Sequence, residues 1–389
     1  MLRSKLPDTG TTIFSVMSAL AAEHNSVNLS QGFPDFPVDP VLTELVYKAS
    51  KEGHNQYAPM AGVNSLRDGI SELVNKIYGV RKDPEKEITI TSGATEALFA
   101  AVSAVVDRGD EVILFDPSYD SYEPAVLLSG GIPVRIPLTF PEYGLDREKI
   151  ISSINSKTRL IILNSPNNPT GAVLSGDDFK FIRKVILEND LYLLSDEVYE
   201  HIIFDGMKHY SVLSDDELFR RSFVVSSFGK TFHITGWKVG YCIAPEELTT
   251  EFRKIHQFLT FSTSTPFQYA LSEYIRESKR VPDLKGFYEK RRDYFRVLVE
   301  SLGAGRENGF KLFPCGGTYF QLLDYSALSD ENDLVFAKRL TVEFGIASIP
   351  VSVFYKNNTD NKVLRFCFAK EYSTLDKAAE CLGNFLRNS

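Results

Sequence analysis

Ser222-Phe223-Val224-Val225-Ser226-Ser227-Phe228-Gly229-Lys230-Thr231-Phe232, followed by Thr235-Gly236-Trp237-Lys238-Val239-Gly240, is the stretch on which the reading of this chain turns. The apolar run Phe223 to Val225 reads as a buried strand, and Lys230 stands just past its end among small residues. A second cation, Lys238, lies further along. Burial and a cationic neighbour weaken a lysine's hold on its proton. The resulting nucleophilic amine suits Schiff-base formation beside a bound phosphate. A solvated Gly-Lys-Thr turn fits the same letters. A P-loop does not, because the first glycine of GxxxxGK[ST] is missing.

Outward from this stretch, strand-like and helix-like runs alternate. Helices are expected over 12–24, 41–51, 65–78, 94–106, 121–129 and 179–189. Strands are expected over 87–91, 111–115, 132–136, 159–163, 191–194 and 223–226. Apolar strands alternating with helices predict an α/β fold with a mainly parallel sheet covered on both faces. After about residue 245 the pattern changes. Long helical stretches (246–259, 266–302) give way to short strands (310–313, 318–323, 363–367) among helices (334–344, 375–386). This reads as a smaller α+β domain. Internal repeats and low-complexity segments are absent from the sequence.

The 389 residues carry a net charge of −8, with 43% hydrophobic and 24% charged residues. That balance fits a globular enzyme and argues against nucleic acid or an anionic membrane as the main partner. Cys242, Cys315, Cys367 and Cys381 lie far apart, without metal-ligand spacing. They read as reduced thiols, and no metal is expected. With no apolar signal region and no run of about 18 apolar residues, a cytoplasmic location is expected.

Four strand ends besides that of Lys230 carry chemistry-bearing letters. Ser92-Gly93-Ala94-Thr95 joins a strand to a helix, where backbone N–H groups and the helix dipole favour an anion. A plain glycine turn fits there too. Tyr119 follows the next strand, placed either to stack on a flat ring or to pack the following helix. Asn164-Ser165-Pro166-Asn167-Asn168-Pro169-Thr170-Gly171 is rich in turn formers, and its amides could also donate into a cleft. Asp196 ends a buried strand, either as a helix cap or as an anion that keeps a pyridine nitrogen protonated. Each is common by chance, but the ordered set is not. An anion cradle, a ring stack, an amide donor, a counter-ion and a lysine are what pyridoxal 5′-phosphate (PLP) requires.

The ordered motifs SGATEA (92–97), DPSYDSYEP (116–124), NSPNNPTG (164–171), SDEVYE (195–200), SSFGKTFHITGWKVGY (226–241) and RFCF (365–368) resemble the class I/II PLP-dependent aminotransferases of fold type I. QGFPDFP (31–37) and QYAPMAG (56–62) look similar to the bacterial methionine aminotransferase branch, kin of kynurenine aminotransferase and glutamine transaminase K. The resemblance implies a large domain (44–275) with a mainly parallel seven-stranded sheet. A smaller α+β domain (276–389) would be joined by the N-terminal helix and substrate loop (1–43).

It further implies that Lys230 forms the Schiff base and acts as general base, and that Asp196 pairs with the pyridinium. Tyr199 and Asn168 would bond the ring oxygen, and Tyr119 would stack on the ring. Ala94, Thr95, Ser227 and Lys238 would hold the phosphate, with Tyr57 reaching it from the partner of a homodimer. Arg365 would clamp the substrate carboxylate, helped by Gly32 and Asn168. Apolar neighbours, Phe14 on the N-terminal helix, Phe261, and the pair Phe354-Tyr355, would face the substrate side chain. The expected donors are therefore L-methionine, aromatic and similar amino acids, reacting with a 2-oxo acid by a ping-pong route. A kynurenine- or glutamine-type aminotransferase and a cysteine-conjugate C–S β-lyase are the alternatives.

Overall fold

Strands that are apolar on both faces need cover on both faces, and this requirement organises the larger part of the molecule. The computed structural model describes residues 3–277, 280–303 and 309–388. In chain order its strands are β1 (Val27–Asn28), β2 (Ile88–Thr91), β3 (Glu111–Asp116), β4 (Ile132–Pro137), β5 (Thr158–Asn164), β6 (Tyr192–Asp196), β7 (Ser222–Ser227), β8 (Gly240–Ile243), β9 (Lys311–Leu312), β10 (Phe320–Asp324), β11 (Ile346–Ala347), β12 (Ile349–Pro350) and β13 (Val363–Cys367).

Strands β2 to β8 form one seven-stranded sheet in the order β2-β8-β7-β6-β5-β3-β4. Neighbours from β7 across to β4 run parallel, whereas β8 is antiparallel to both β2 and β7. The fold is thus the expected α/β class with a mainly parallel sheet. Successive side chains of β3 take opposite faces. Val112 and Leu114 pack beneath helices Gly93–Val105 and Glu246–Leu259, and Ile113 and Phe115 share the other core with helices Asn64–Tyr78 and Gly176–Glu188. Each such buried side chain contributes about 1.5–3 kcal/mol. A one-residue slip of register would exchange the two sets, so the register is strongly specified.

The C-terminal part builds an antiparallel sheet, β12-β13-β10-β9, backed by helices Asp333–Phe344 and Tyr372–Asn388. The N-terminal segment joins it: β1 pairs in parallel with β11, and Cys367 N–H donates to Leu29 O at 2.8 Å. This stitching hangs the loop after Leu29 above the carboxyl ends of the large sheet's strands.

Several boundaries differ from expectation. The helical stretch 266–302 is two helices, Thr265–Glu277 and Arg280–Ser301. The strand expected at 310–313 shrinks to β9, and the one at 318–323 begins only at Phe320. There Thr318 takes a positive φ of 67° and its N–H leaves the sheet for Ile202 O. Strand β8 is not marked by the alternating pattern, because Gly-Tyr-Cys-Ile is short and glycine-led.

Candidate active site

Three parallel neighbours, β5, β6 and β7, end side by side, with Asn164 in register with Asp196 and Asp196 with Val225. Their carboxyl ends are where open α/β sheets form crevices. A cavity of about 350 Å³ opens there, and its lining includes Thr95, Tyr119, Asn168, Asp196, Tyr199 and Lys230. Strand β8 completes the arrangement. Gly240 is in register with Thr91 on one side and Ser227 on the other. This brings the amino end of helix Gly93–Val105 beside Ser227 and Lys238. A Cβ on Gly240 would stand 2.8 Å from Ala94 N, and one on Gly93 would stand 3.3 Å from Lys238 Nζ. Ala94, Thr95, Ser227 and Lys238 all line the cavity. Free N–H groups, the helix dipole and the Lys238 ammonium make this end an anion site.

Asp196 is 3% exposed. Tyr122 Oη donates to its Oδ2 at 2.6 Å, and Val198 N–H donates to Oδ1 at 3.3 Å. Burial raises the carboxyl to about 6, against the pull of these donors and of Lys230. Asn164 donates to Asp196 O and accepts from Asn168 N–H at 2.8 Å, so one side chain shapes the whole turn. Tyr119 meets Tyr122 edge-on, with ring centroids 5.7 Å apart.

Lys230 Nζ lies 2.7 Å from Tyr319 Oη and 3.2 Å from Gly32 O, and 5.5 Å from the centre of the Tyr199 ring. Burial holds this ammonium down at about 8, well below a solvated lysine. Arg365, 1% exposed, projects from the middle of β13. It donates to Asn168 Oδ1 at 2.6 Å and Ser30 O at 3.0 Å, while its buried Nε has no partner among the described residues. Because Arg365 only donates, the Asn168 carboxamide oxygen faces it and the amide nitrogen remains a donor. Among the described residues no carboxylate pairs with Arg365, and burial lowers it to about 10. The rings of Phe320, Phe14 and Phe354 lie 3.9, 5.2 and 5.4 Å from its guanidinium carbon.

Gly32 is thus brought against Lys230, and Phe14 against Arg365. Tyr355 is not: it packs in the large sheet's core, and only Phe354 of that pair faces Arg365. Tyr57 and Phe261 also lie away from this chain's cavity. They are 84% and 44% exposed and meet edge-on at 5.4 Å. Three residues escaped sequence reasoning, namely Tyr122, Asn164 and Tyr319. The first two stand inside motifs already singled out, three residues past Tyr119 and four before Asn168. Tyr319 had no local signal, since it looks like any buried aromatic. Behind β6, Glu197, Glu200 and His209 come together, but they are bonded to Ser195, Val212, Ser226, Tyr78 and one another. They read as a buttress for Asp196.

This constellation of lysine, buried carboxylate, anion cradle and guanidinium defines an amino-group-handling site, and comparison with known proteins agrees. The family model described as aminotransferase class I and II matches residues 24–382. The chain belongs to that family and is an aminotransferase. It is 49% identical over 381 residues to the methionine aminotransferase of Escherichia coli (strain K12), covering 98% of this chain and 97% of that one. It is 36% identical to human kynurenine–oxoglutarate transaminase 3, covering 96% of this chain and 87% of that one. An Escherichia coli crystal structure, reported together with a methionine aminotransferase function, matches with a TM-score of 0.95 at 47% identity over 99% of each chain.

Proposed function

We propose that this aminotransferase takes L-methionine and aromatic or similar apolar amino acids as donors, uses PLP, and passes the amino group to a 2-oxo acid by a ping-pong route. One observation carries the reading. A buried guanidinium whose hydrogen-bond partners among the described residues are all neutral, Arg365, bonds Asn168, which lines the same cavity as the buried amine of Lys230. An unpaired buried cation is costly and calls for an anion. A carboxylate there would present the adjacent Cα and its amino group toward Lys230. The rings around Arg365 favour an apolar side chain, and a thioether gains about 0.3–1.5 kcal/mol against aromatic faces. The relatedness to the Escherichia coli methionine aminotransferase supports the same donor.

The residues present fit PLP. The Ala94–Thr95 N–H groups, Ser227 and Lys238 suit its phosphate, and buried Asp196, whose carboxyl burial raises, suits a pyridinium. Asn168 and Tyr199 suit its phenolic oxygen, and Tyr119 suits its face. Bound PLP supplies an electron sink for the carbon being deprotonated. Within this site Arg365 and Asn168 hold the substrate carboxylate, Phe14 and Phe354 enclose the side chain, and Lys230 moves the proton at its Nζ. The active unit would be a homodimer, with Tyr57 and Phe261 completing the partner's cavity. Residues 44–275 would form one domain, and 1–43 with 276–389 the other. Among the described residues no helix is long and apolar enough to cross a membrane, and a cytoplasmic setting belongs to the same proposal.

The test is the absorbance of the PLP-loaded protein before and after L-methionine alone, with the 2-oxo acid product measured. Conversion of bound PLP to its amine form with stoichiometric 2-oxo acid is the expected result. Conversion with kynurenine or phenylalanine but not methionine would overturn the donor assignment. Release of pyruvate and ammonia from a cysteine conjugate would mark the lyase instead.

A further inference from the structure

We propose that Tyr319 is a further catalytic residue of the transfer. Its hydroxyl and the Gly32 carbonyl together dock the Lys230 amine with both N–H bonds taken and its lone pair free to accept the substrate Cα proton. The inference rests on the assignment of Lys230 as the reacting amine.

The direction of each hydrogen bond follows from what each group can do. Tyr319 Oη lies 2.5 Å from Gly32 O, and a backbone carbonyl cannot donate, so the phenol must. Its only proton is then spent, and toward Lys230 Nζ, 2.7 Å away, it can only accept. Gly32 O accepts from the same nitrogen at 3.2 Å. An uncharged amine has two N–H bonds and one lone pair, and the two acceptors use up the N–H bonds. A third proton on the ammonium finds no acceptor among the described residues, and neither partner carries a compensating charge. It is burial that holds the ammonium down at about 8, so the uncharged amine is accessible near neutral pH. The dock is also rigid. Tyr319 is 0% exposed, and its ring is set perpendicular to Tyr199 at 5.2 Å and against Tyr288 at 5.6 Å. A side chain held by packing on several sides orients a reacting group better than a solvated one.

Tyr319→Phe keeps the ring and removes only the hydroxyl. With PLP-loaded protein and L-methionine, kcat is expected to fall roughly 10–100-fold with KM changed less than about threefold, the pattern of an interaction made at the proton-transfer step. The rate ratio between methionine and its α-deuterated form should rise. In cofactor-free protein, the pH at which Lys230 is half-labelled by acetic anhydride, read by mass spectrometry, should drop, because an acceptor that favours the ammonium is gone. In a Lys230→Ala background, Tyr319→Phe should leave the Kd for PLP unchanged. Tyr319→His, which keeps an acceptor on a ring, should retain more of kcat, and it serves for the same comparisons if Tyr319→Phe does not fold. Wild-type kcat, isotope ratio and labelling pH in Tyr319→Phe would overturn the proposal. So would a loss of PLP affinity that persists without Lys230, which marks a merely structural residue. Near-wild-type turnover in Lys230→Ala would instead remove the lysine assignment itself, an outcome distinct from failure of Tyr319.

Discussion

Asp196 is kept ionisable in a place that opposes ionisation. Burial lifts its carboxyl to about 6 in the cofactor-free protein, against roughly 3.9 for a solvated aspartate. A raised acid means that the folded state holds the proton more tightly than the unfolded one. The ionised form therefore destabilises the fold above about pH 6, and the penalty fades as pH falls toward about 4. The difference is on the order of 2–3 kcal/mol. Asparagine can bond Tyr122 and Val198 N–H without the charge. Cofactor-free Asp196→Asn is therefore expected to melt at a higher temperature than wild type near about pH 7.5, with the gap closing by about pH 4.5, while PLP affinity collapses. A lower Tm at the upper pH would contradict this reading. The position of Asp196 was legible in the sequence because it ends an apolar strand. Its dependence on Tyr122 was not, since that contact links residues 74 positions apart.

At the scale of elements, β8 is the wedge that assembles the anion site. It is antiparallel to both neighbours, and its first residue must be glycine because the backbone of Ala94 and Ser226 O crowd the space a Cβ would take, at 2.8 Å each. Those contacts are backbone, which cannot swing aside. Gly240→Ala should therefore push the amino end of helix Gly93–Val105 outward, costing about 1–3 kcal/mol of stability. PLP affinity should weaken by at least about tenfold, equivalent to 1.4 kcal/mol. Thermal melting and titration of cofactor-free protein with PLP check both numbers. Unchanged affinity with unchanged Tm would mean that the strand can give way. The long parallel strands and their helices were readable from their apolar pattern, but β8 was not. A four-residue strand is defined by the partners on its two sides, which no local window contains.

At the scale of the whole molecule, exposed aromatics sit where nothing among the described residues covers them. Tyr57, Phe258 and Tyr47 are 84%, 86% and 62% exposed. The Tyr57 loop is nonetheless fixed: Ala58 N–H donates to Thr265 Oγ1 at 3.0 Å, that hydroxyl donates to Gln56 O, and Ser262 donates to Ala58 O. Rigidly presented aromatic surface is a signature of association. A mass of two chains is expected by analytical ultracentrifugation. Tyr57→Phe should weaken PLP binding roughly tenfold, the loss of one bond to a charged group, with that mass unchanged. A fully active species with the mass of one chain would refute the shared site.

What the sequence determined by itself is the set of strand ends and the groups they carry. A parallel sheet must bury its strands on both faces, so its strands are apolar runs and polar letters at or shortly past their ends build the site: Thr95, Tyr119, Asn168, Asp196 and Lys230. Their neighbourhood in the cavity follows once the sheet order is known. What only the tertiary structure decided are the contacts made across that order. Gly32 and Tyr319 come to Lys230 because β1 pairs with β11 and β10 pairs with β13. Arg365 meets Asn168 from a different sheet altogether. Such contacts join residues 89 to 198 positions apart through packing, and packing leaves no periodicity in the letters it brings together.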